Sequence, residues 1–148
     1  MVGQKKKSTK PSGTKSWQPD PQFVYFLDEN TSSSAIVGAL RAAGVRVEIQ
    51  PDHFKSGTPD VDWLSTIADW KWIAITRDKR LRYRPNEIAT IRAARARVII
   101  ATTSGNLTSI ELAKLLVDSF KKIDKFVRNH QDFFIATIGK DGAIKKIE

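Results

Sequence analysis

Short apolar runs alternate with helix-like segments along most of this chain of 148 residues. The runs FVYFL (23–27), WIAIT (72–76) and RVIIAT (97–102) are continuous and β-prone, which is typical of strands buried on both faces. VRVEI (45–49) alternates apolar and polar residues as a strand with one exposed face does. We therefore expect strands that pair in parallel and are separated by connecting helices.

Four segments between these runs carry helix signals. Apolar residues recur at helical spacing, and caps mark several of the ends: Gly44 follows the first helix, Thr58-Pro59-Asp60 opens the second, and Thr108-x-x-Glu111 is a capping-box pattern that opens the longest. We predict helices over 32–43, 58–70, 85–96 and 108–129.

The end of the chain differs from this alternation. The segments 133–138 and 143–147 flank the turn sequence Gly139-Lys140-Asp141-Gly142 and predict a closing β-hairpin. The expected fold is therefore α/β, a mostly parallel central sheet with helices on both faces and a C-terminal β-hairpin. In such sheets, ligands bind outside the carboxyl ends of the strands.

Composition limits the partners and the chemistry. The formal net charge is +9 and the pI is about 9.9, which favours a polyanionic partner such as nucleic acid. There is no cysteine, and His53 and His130 are the only histidines, so thiol chemistry and a three-histidine zinc site are excluded. No apolar run has the length of a membrane span, and we expect a cytoplasmic protein.

The first 21 residues contain five lysines, one aspartate and few apolar side chains. They cannot bury enough apolar surface to offset the entropy of ordering them, so we predict a flexible basic tail over 1–21 and one folded domain over 22–148.

Acidic residues follow two of the predicted strands. Asp28 and Glu29 come directly after the first strand, Asp78 follows the third, and Asp60 and Asp62 begin the second helix. Clustered carboxylates repel one another unless a cation neutralises them, and oxygen ligands suit Mg²⁺ or Mn²⁺. Structural alternatives stay open: acids at a helix start also favour the helix dipole, and Asp28 and Asp78 could each serve a local turn or ion pair.

A run of cations, RDKRLRYR (77–84), surrounds Asp78. Its side chains could hold RNA phosphates, Tyr83 could stack on a base, and Lys79 could stabilise charge that develops on the phosphate. The residues that we predict to bind RNA are Arg77, Arg80, Arg82, Tyr83 and Arg84. A solvated basic turn is the structural alternative.

The motifs LDEN, GTPD, ITRDK and TSGNLT, in this order, resemble the PIN-domain nucleases, and the VapC-type toxins of bacterial toxin–antitoxin pairs in particular. The resemblance covers about residues 22–138. It implies a metal-dependent ribonuclease in which Asp28, Asp60 and Asp78 bind Mg²⁺ or Mn²⁺, with Asp62 and Glu29 as further ligands.

The family often has another acid after the fourth strand, where this chain reads ATTSGN. By the resemblance, Thr102, Ser104 or Asn106 would replace that acid as a neutral or water-mediated ligand, and Asn30 after the first strand is a further possible ligand of this kind.

The function predicted first is a Mg²⁺- or Mn²⁺-dependent endoribonuclease, the toxin of a type II toxin–antitoxin pair, with RNA and a cognate antitoxin as partners. Asp28, Asp60, Asp78 and Lys79 are its predicted catalytic residues. A homodimer is left open. The alternatives are a non-catalytic PIN-like module that binds RNA or a partner and, ranked last, a phospho-acceptor receiver domain.

Overall fold

The structure is a computed structural model that describes residues 17–103 and 107–148. Within these ranges the strands are β1 (Val24–Leu27), β2 (Arg46–Ile49), β3 (Ile73–Thr76), β4 (Arg97–Ala101), β5 (Phe134–Ile138) and β6 (Ile144–Lys146). The helices are α1 (Ser34–Ala42), α2 (Gln50–His53), α3 (Asp60–Asp69), α4 (Pro85–Ala94) and α5 (Ser109–Asn129). Two short 3₁₀ turns cover Glu29–Thr31 and Leu81–Tyr83.

The strands form one sheet in the order β2-β1-β3-β4-β5-β6. Neighbouring strands from β2 through β5 pair in parallel, and β6 pairs antiparallel with β5. The predicted fold class and the closing hairpin are therefore confirmed. From β1 the chain moves to one side of the sheet to form β2 and then to the other side to form β3, so a switch point lies between the carboxyl ends of β1 and β3.

Helices cover the two faces of the sheet and create two apolar cores. Along β1, Tyr25 and Leu27 pack into the core that contains residues of α1 and α5, and Phe26 points into the core that contains residues of α3 and α4. All three side chains are wholly buried, so each contributes roughly 1.5–3 kcal/mol to folding. Burial on both faces is the physical reason that β1 reads as a continuous apolar run.

The predicted cap of α5 is confirmed. The Thr108 hydroxyl accepts a hydrogen bond from the Glu111 N–H at 3.1 Å, and the Glu111 carboxylate accepts one from the Thr108 N–H at 2.8 Å. The predicted start of α3 is wrong by one residue, because Pro59 occupies the N-cap and Asp60 is the first helical residue. The Thr58 hydroxyl is not a cap since it donates to the Lys55 carbonyl at 2.6 Å.

Other differences concern features that have no periodic signal. The sequence did not indicate α2 or the 3₁₀ turns, each of which has four residues or fewer. The helix predicted over 85–96 ends at Ala94, because Arg95 adopts a left-handed conformation with φ of 57°. No helix among the described residues has the length and apolar composition needed to cross a membrane.

Part of the predicted tail contacts the domain. Trp17 packs against the core, and the N–H of Asp20 donates to the carboxylate of Asp124, a wholly buried residue of α5, at 3.1 Å. The Tyr25 hydroxyl donates to the same carboxylate at 3.2 Å. Residues 1–16 lie outside the described residues, and a flexible tail there stays a prediction.

Gly142 in the β5–β6 turn has φ of +80°, and a Cβ built there would lie 2.7 Å from the Ser119 Oγ of α5. We expect Gly142→Ala to lower the free energy of unfolding by about 2 kcal/mol, since it adds backbone strain and a steric contact. Gly38→Ala is the opposite control, because Gly38 lies within α1 with nothing near its missing Cβ and should gain about 0.5–1 kcal/mol. Urea unfolding of both variants measures the two changes, and a Gly142→Ala protein as stable as wild type would contradict the expected strain.

Candidate active site

Asp28 follows the last residue of β1 and is almost completely buried, with 6% of its surface exposed. One carboxylate oxygen accepts a hydrogen bond from the Thr31 hydroxyl, and the other accepts one from the Thr76 hydroxyl at 2.9 Å. Thr31 lies in the 3₁₀ turn after Asp28, and Thr76 is the last residue of β3. The two hydroxyls therefore fix the orientation of a carboxylate at the switch point.

The same two threonines join the ends of β1 and β3. The N–H of Arg77 donates to the Thr31 hydroxyl at 3.0 Å, and the N–H of Asp78 donates to the Thr76 hydroxyl at 3.0 Å. Asp78 is thus attached, through one side chain, to a carboxylate oxygen of Asp28. Because these residues are 50 positions or so apart along the chain, only the parallel pairing of β1 with β3 brings them together.

Asp60 and Asp78 share a partner. Nη1 of Arg84 lies 2.8 Å from Oδ2 of Asp78 and 3.3 Å from Oδ2 of Asp60. The same nitrogen lies 3.7 Å from Oε2 of Glu87, in the first turn of α4. We call Asp28, Asp60, Asp78 and Glu87 the acidic cluster. One guanidinium nitrogen therefore lies among three carboxylates, and its positive charge offsets part of their mutual repulsion.

Burial raises the pKa of Asp28 to about 6. The hydrogen bonds from Thr31 and Thr76 oppose the rise, and the negative charges of Asp60 and Asp78 add to it. Asp60 and Asp78 therefore lie near enough to the Asp28 carboxylate for their charges to disfavour its ionised form. A cation near Asp28 would favour its ionised form.

The donor set of the acidic cluster fits a hard divalent ion, because it consists of carboxylate oxygens without sulfur or imidazole. In residues 17–103 and 107–148, no three histidine or acidic side chains lie close enough together to hold a metal ion. In this structure the guanidinium of Arg84 separates Asp60 from Asp78. The role of Asp28, Asp60 and Asp78 as ligands of Mg²⁺ or Mn²⁺ therefore stays a prediction.

Three other predicted ligands lie elsewhere. The Glu29 carboxylate accepts hydrogen bonds from the Ser56 hydroxyl at 2.8 Å and the Gly57 N–H at 3.3 Å, in the loop after α2. Asp62 is exposed on α3, and Asn30 is exposed in the 3₁₀ turn. The structure does not bring these three side chains into the acidic cluster.

The predicted RNA-binding residues divide into a group that is exposed to solvent and a group that contacts the carboxylates. Arg80 and Tyr83 are mostly exposed beside Asp78, with 78% of the Arg80 side chain and 70% of Tyr83 accessible, and Lys79 is exposed next to them. The Arg82 guanidinium lies over the Tyr83 ring, 4.7 Å from its centre. Arg84 belongs to the other group, because its charge is directed at the carboxylates.

The remaining predicted residues lie around this edge or outside the described residues. Arg77 is half-buried, and one of its terminal nitrogens has no hydrogen-bond partner. Thr102 follows β4 and lines, with Arg82 and Thr137, a cavity of about 400 Å³. Ser104 and Asn106 are outside the described residues, so their proposed ligand role stays a prediction.

Sequence reasoning missed Glu87 and the threonines that hold Asp28. Glu87 could have been found from its position, since Pro85 marks a helix start and first-turn acids of such helices face the carboxyl edge of the sheet. Gln50 was also missed: its side-chain carbonyl accepts the Glu29 N–H at 2.8 Å and is buried. No local pattern distinguishes Thr31, Thr76 or Gln50 from ordinary polar residues.

A family model described as "PIN like domain" matches residues 23–103, which include β1 through β4 and the acidic cluster. The chain belongs to the PIN-like domain family. Domains of this family are typically nucleases, which agrees with carboxylates gathered at the carboxyl edge of a parallel sheet. None of the curated proteins or solved structures compared with the chain matches it significantly.

Asp28→Asn should stabilise the protein at pH 7.5 in the absence of divalent ions. The folded-state pKa of about 6 lies above the ordinary value of 3.8, so the folded protein holds this proton more tightly and loses stability as pH rises through 6. Removing the charge should restore about 1–3 kcal/mol at pH 7.5 and almost none below pH 4. Urea unfolding at both pH values, with a chelator present, measures the difference.

Asp62→Asn is the matched control, because the same change on the exposed face of α3 should alter stability by less than about 0.5 kcal/mol. An Asp28→Asn protein less stable than wild type at pH 7.5 would contradict the cost of burying the charge.

Proposed function

We propose that the protein is a Mg²⁺- or Mn²⁺-dependent endoribonuclease and the toxin of a bacterial type II toxin–antitoxin pair. One observation carries the nuclease part: Asp28 after β1, Asp60 at the start of α3 and Asp78 after β3 lie near one another at the switch point of the sheet, and the charges of Asp60 and Asp78 act on Asp28. The family assignment supports the same reaction class. The toxin role and the cognate antitoxin rest on the resemblance to VapC-type proteins.

Asp28, Asp60 and Asp78 would hold the divalent ion, which would supply an activated water and neutralise charge on the phosphate. The protein contributes fixed orientation. Asp28 is held by hydroxyls on both oxygens, so its remaining lone pairs point in defined directions. Asp78 is anchored through the Thr76 hydroxyl, and Asp60 accepts a hydrogen bond from the Trp63 indole N–H at 3.0 Å. Positioning of this kind lowers the reorganisation needed in the transition state.

The charge around the cluster favours a polyanionic substrate. Lys79 and Arg80 are exposed beside Asp78, and the whole chain has a formal charge of +9. Tyr83 offers an exposed ring against which an unpaired base can stack. These features support a single-stranded nucleic acid, and the resemblance to VapC-type toxins favours RNA.

A specific observation favours a second function, a PIN-like module that binds RNA or a partner without cleaving it. Arg84 already neutralises part of the acidic cluster, and the described residues contain no group that holds a metal ion as they stand. Binding of RNA without cleavage at any divalent ion concentration would select this function. A receiver domain is less favoured, because Glu29 is directed at Ser56 and Gly57 and not at Asp28.

Purified protein should cleave single-stranded RNA when Mg²⁺ or Mn²⁺ is added and stop when EDTA is added. Asp28→Asn and Asp78→Asn should each reduce the rate by about a hundred-fold or more, because each removes a charge that would bind the ion. Gel analysis of a labelled RNA under single-turnover conditions measures these rates.

Asp62→Asn again serves as the control and should cleave at close to the wild-type rate, because its carboxylate is exposed on α3. Equal cleavage by wild type and both cluster variants, or cleavage that persists in EDTA, would overturn the proposed mechanism.

Tyr83→Ala should weaken the binding of single-stranded RNA by about ten-fold, since a stacked base contributes roughly 1–3 kcal/mol. Tyr83→Phe keeps the ring and should bind as wild type does. Fluorescence anisotropy of a labelled oligonucleotide in EDTA separates binding from cleavage. If Tyr83→Ala binds as tightly as Tyr83→Phe, the exposed ring does not contact the RNA.

A further inference from the structure

Arg84 has a position unlike that of the other cations near the acidic cluster. Its side chain is two-thirds buried, and a single nitrogen, Nη1, meets Asp78, Asp60 and Glu87 at 2.8, 3.3 and 3.7 Å. Its backbone lies between a 3₁₀ turn and Pro85, the first residue of α4, so the guanidinium starts from a fixed point. Arg80, in contrast, is mostly exposed and approaches only Asp78, at 3.6 Å.

We propose that Arg84 is an internal cation that competes with the divalent ion for Asp60 and Asp78, and that Glu87 holds the guanidinium when the ion displaces it. The inference rests on the proposed metal-dependent function and assigns a positioning role to two residues within it. Metal affinity would then depend on how strongly the chain retains its own arginine.

The competition follows from the positions of the carboxylate oxygens. Nη1 of Arg84 donates hydrogen bonds to Oδ2 of both Asp60 and Asp78. An ion such as Mg²⁺ would need contacts of about 2.1 Å with oxygens in the same space. Asp28 is different, because its two oxygens bind threonine hydroxyls and make no contact with the guanidinium. The Asp28 carboxylate thus makes no contact with Arg84, whereas Asp60 and Asp78 would exchange the guanidinium for the divalent ion.

Glu87 fits the holding role because it lies three positions after Arg84, in the first turn of α4, whose N-cap is Arg84. The pair can approach without moving β1, α3 or β3. At 3.7 Å the contact is the longest of the three, so the guanidinium lies closer to the aspartates than to Glu87. Release toward Glu87 would require only a change of side-chain rotamer.

The test is Mn²⁺ affinity, measured by the loss of the free-ion EPR signal and by calorimetry without RNA. Arg84→Gln should bind Mn²⁺ about ten-fold tighter than wild type, since an arginine bound to the aspartates nine-tenths of the time lowers the apparent affinity by that factor. Arg92→Gln is the matched control. It also removes one positive charge and breaks an ion pair, the one between Arg92 and Glu148, and it should change the Mn²⁺ affinity less than two-fold.

Glu87→Gln should act in the opposite direction and weaken Mn²⁺ binding, because Arg84 would then have only the aspartates. In the Arg84→Gln background, Glu87→Gln should have no effect. A similar loss in both backgrounds would mean that Glu87 binds the ion directly, and it would overturn the holding role.

Thermal unfolding gives a second readout. Without metal, Arg84→Gln should be less stable than wild type, because the acids repel one another, and saturating Mn²⁺ should raise its Tm more than that of wild type. Arg84→Lys keeps the charge and gives intermediate values if the glutamine variant does not fold.

The outcomes separate the inference from the proposed function. If wild type binds Mn²⁺ and cleaves RNA, but Arg84→Gln binds no tighter than Arg92→Gln, the competition is wrong and the nuclease function stands. If neither wild type nor Arg84→Gln binds Mn²⁺ at millimolar concentration, the metal-dependent function fails, and the competition fails with it.

Discussion

The parallel pairing of β1 with β3 is the constraint on which the site depends. It aligns two strand ends that α1, β2, α2 and α3 separate along the sequence, and the hydroxyls of Thr31 and Thr76 then connect those ends through the Asp28 carboxylate. The Thr76 hydroxyl could not reach Asp28 if another strand took the place of β3 beside β1, whereas Thr31 lies three positions after Asp28 and its contact is local. The order of the strands therefore brings the residues of the site together, and the burial of apolar strand residues stabilises that order.

The succession of strands and helices was predictable because burial leaves a periodic signal. Continuous apolar runs identified β1, β3 and β4, and Thr108 with Glu111 marked the start of α5. The aspartates at the site were also predictable, since strand ends define an edge. The pairing of long basic side chains with particular acids was not predictable. Arg84 is one of several cations in RDKRLRYR, and nothing in the local sequence shows that Arg84 points toward the carboxylates while Arg80 points to solvent.

Electrostatics at the site oppose stability. The chain has an excess of positive charge, yet it buries Asp28 where other carboxylates repel it, and the pKa of that group rises accordingly. Arg84 offsets the repulsion between Asp60 and Asp78, and the hydroxyls partly offset the burial of Asp28. Replacing such charged groups with well-packed neutral side chains of similar size is often neutral or stabilising, so this arrangement contributes little to folding.

The long helix α5 has a consequence for how the chain reaches its fold. Phe120 and Ile123 complete the core around Tyr25, whose ring meets that of Phe120 edge to face, with centres 4.8 Å apart. The segment matched by the family model ends before α5 begins. During synthesis on the ribosome, β1 and α1 therefore expose an apolar surface until most of the polypeptide has emerged, and stable tertiary structure forms late in translation.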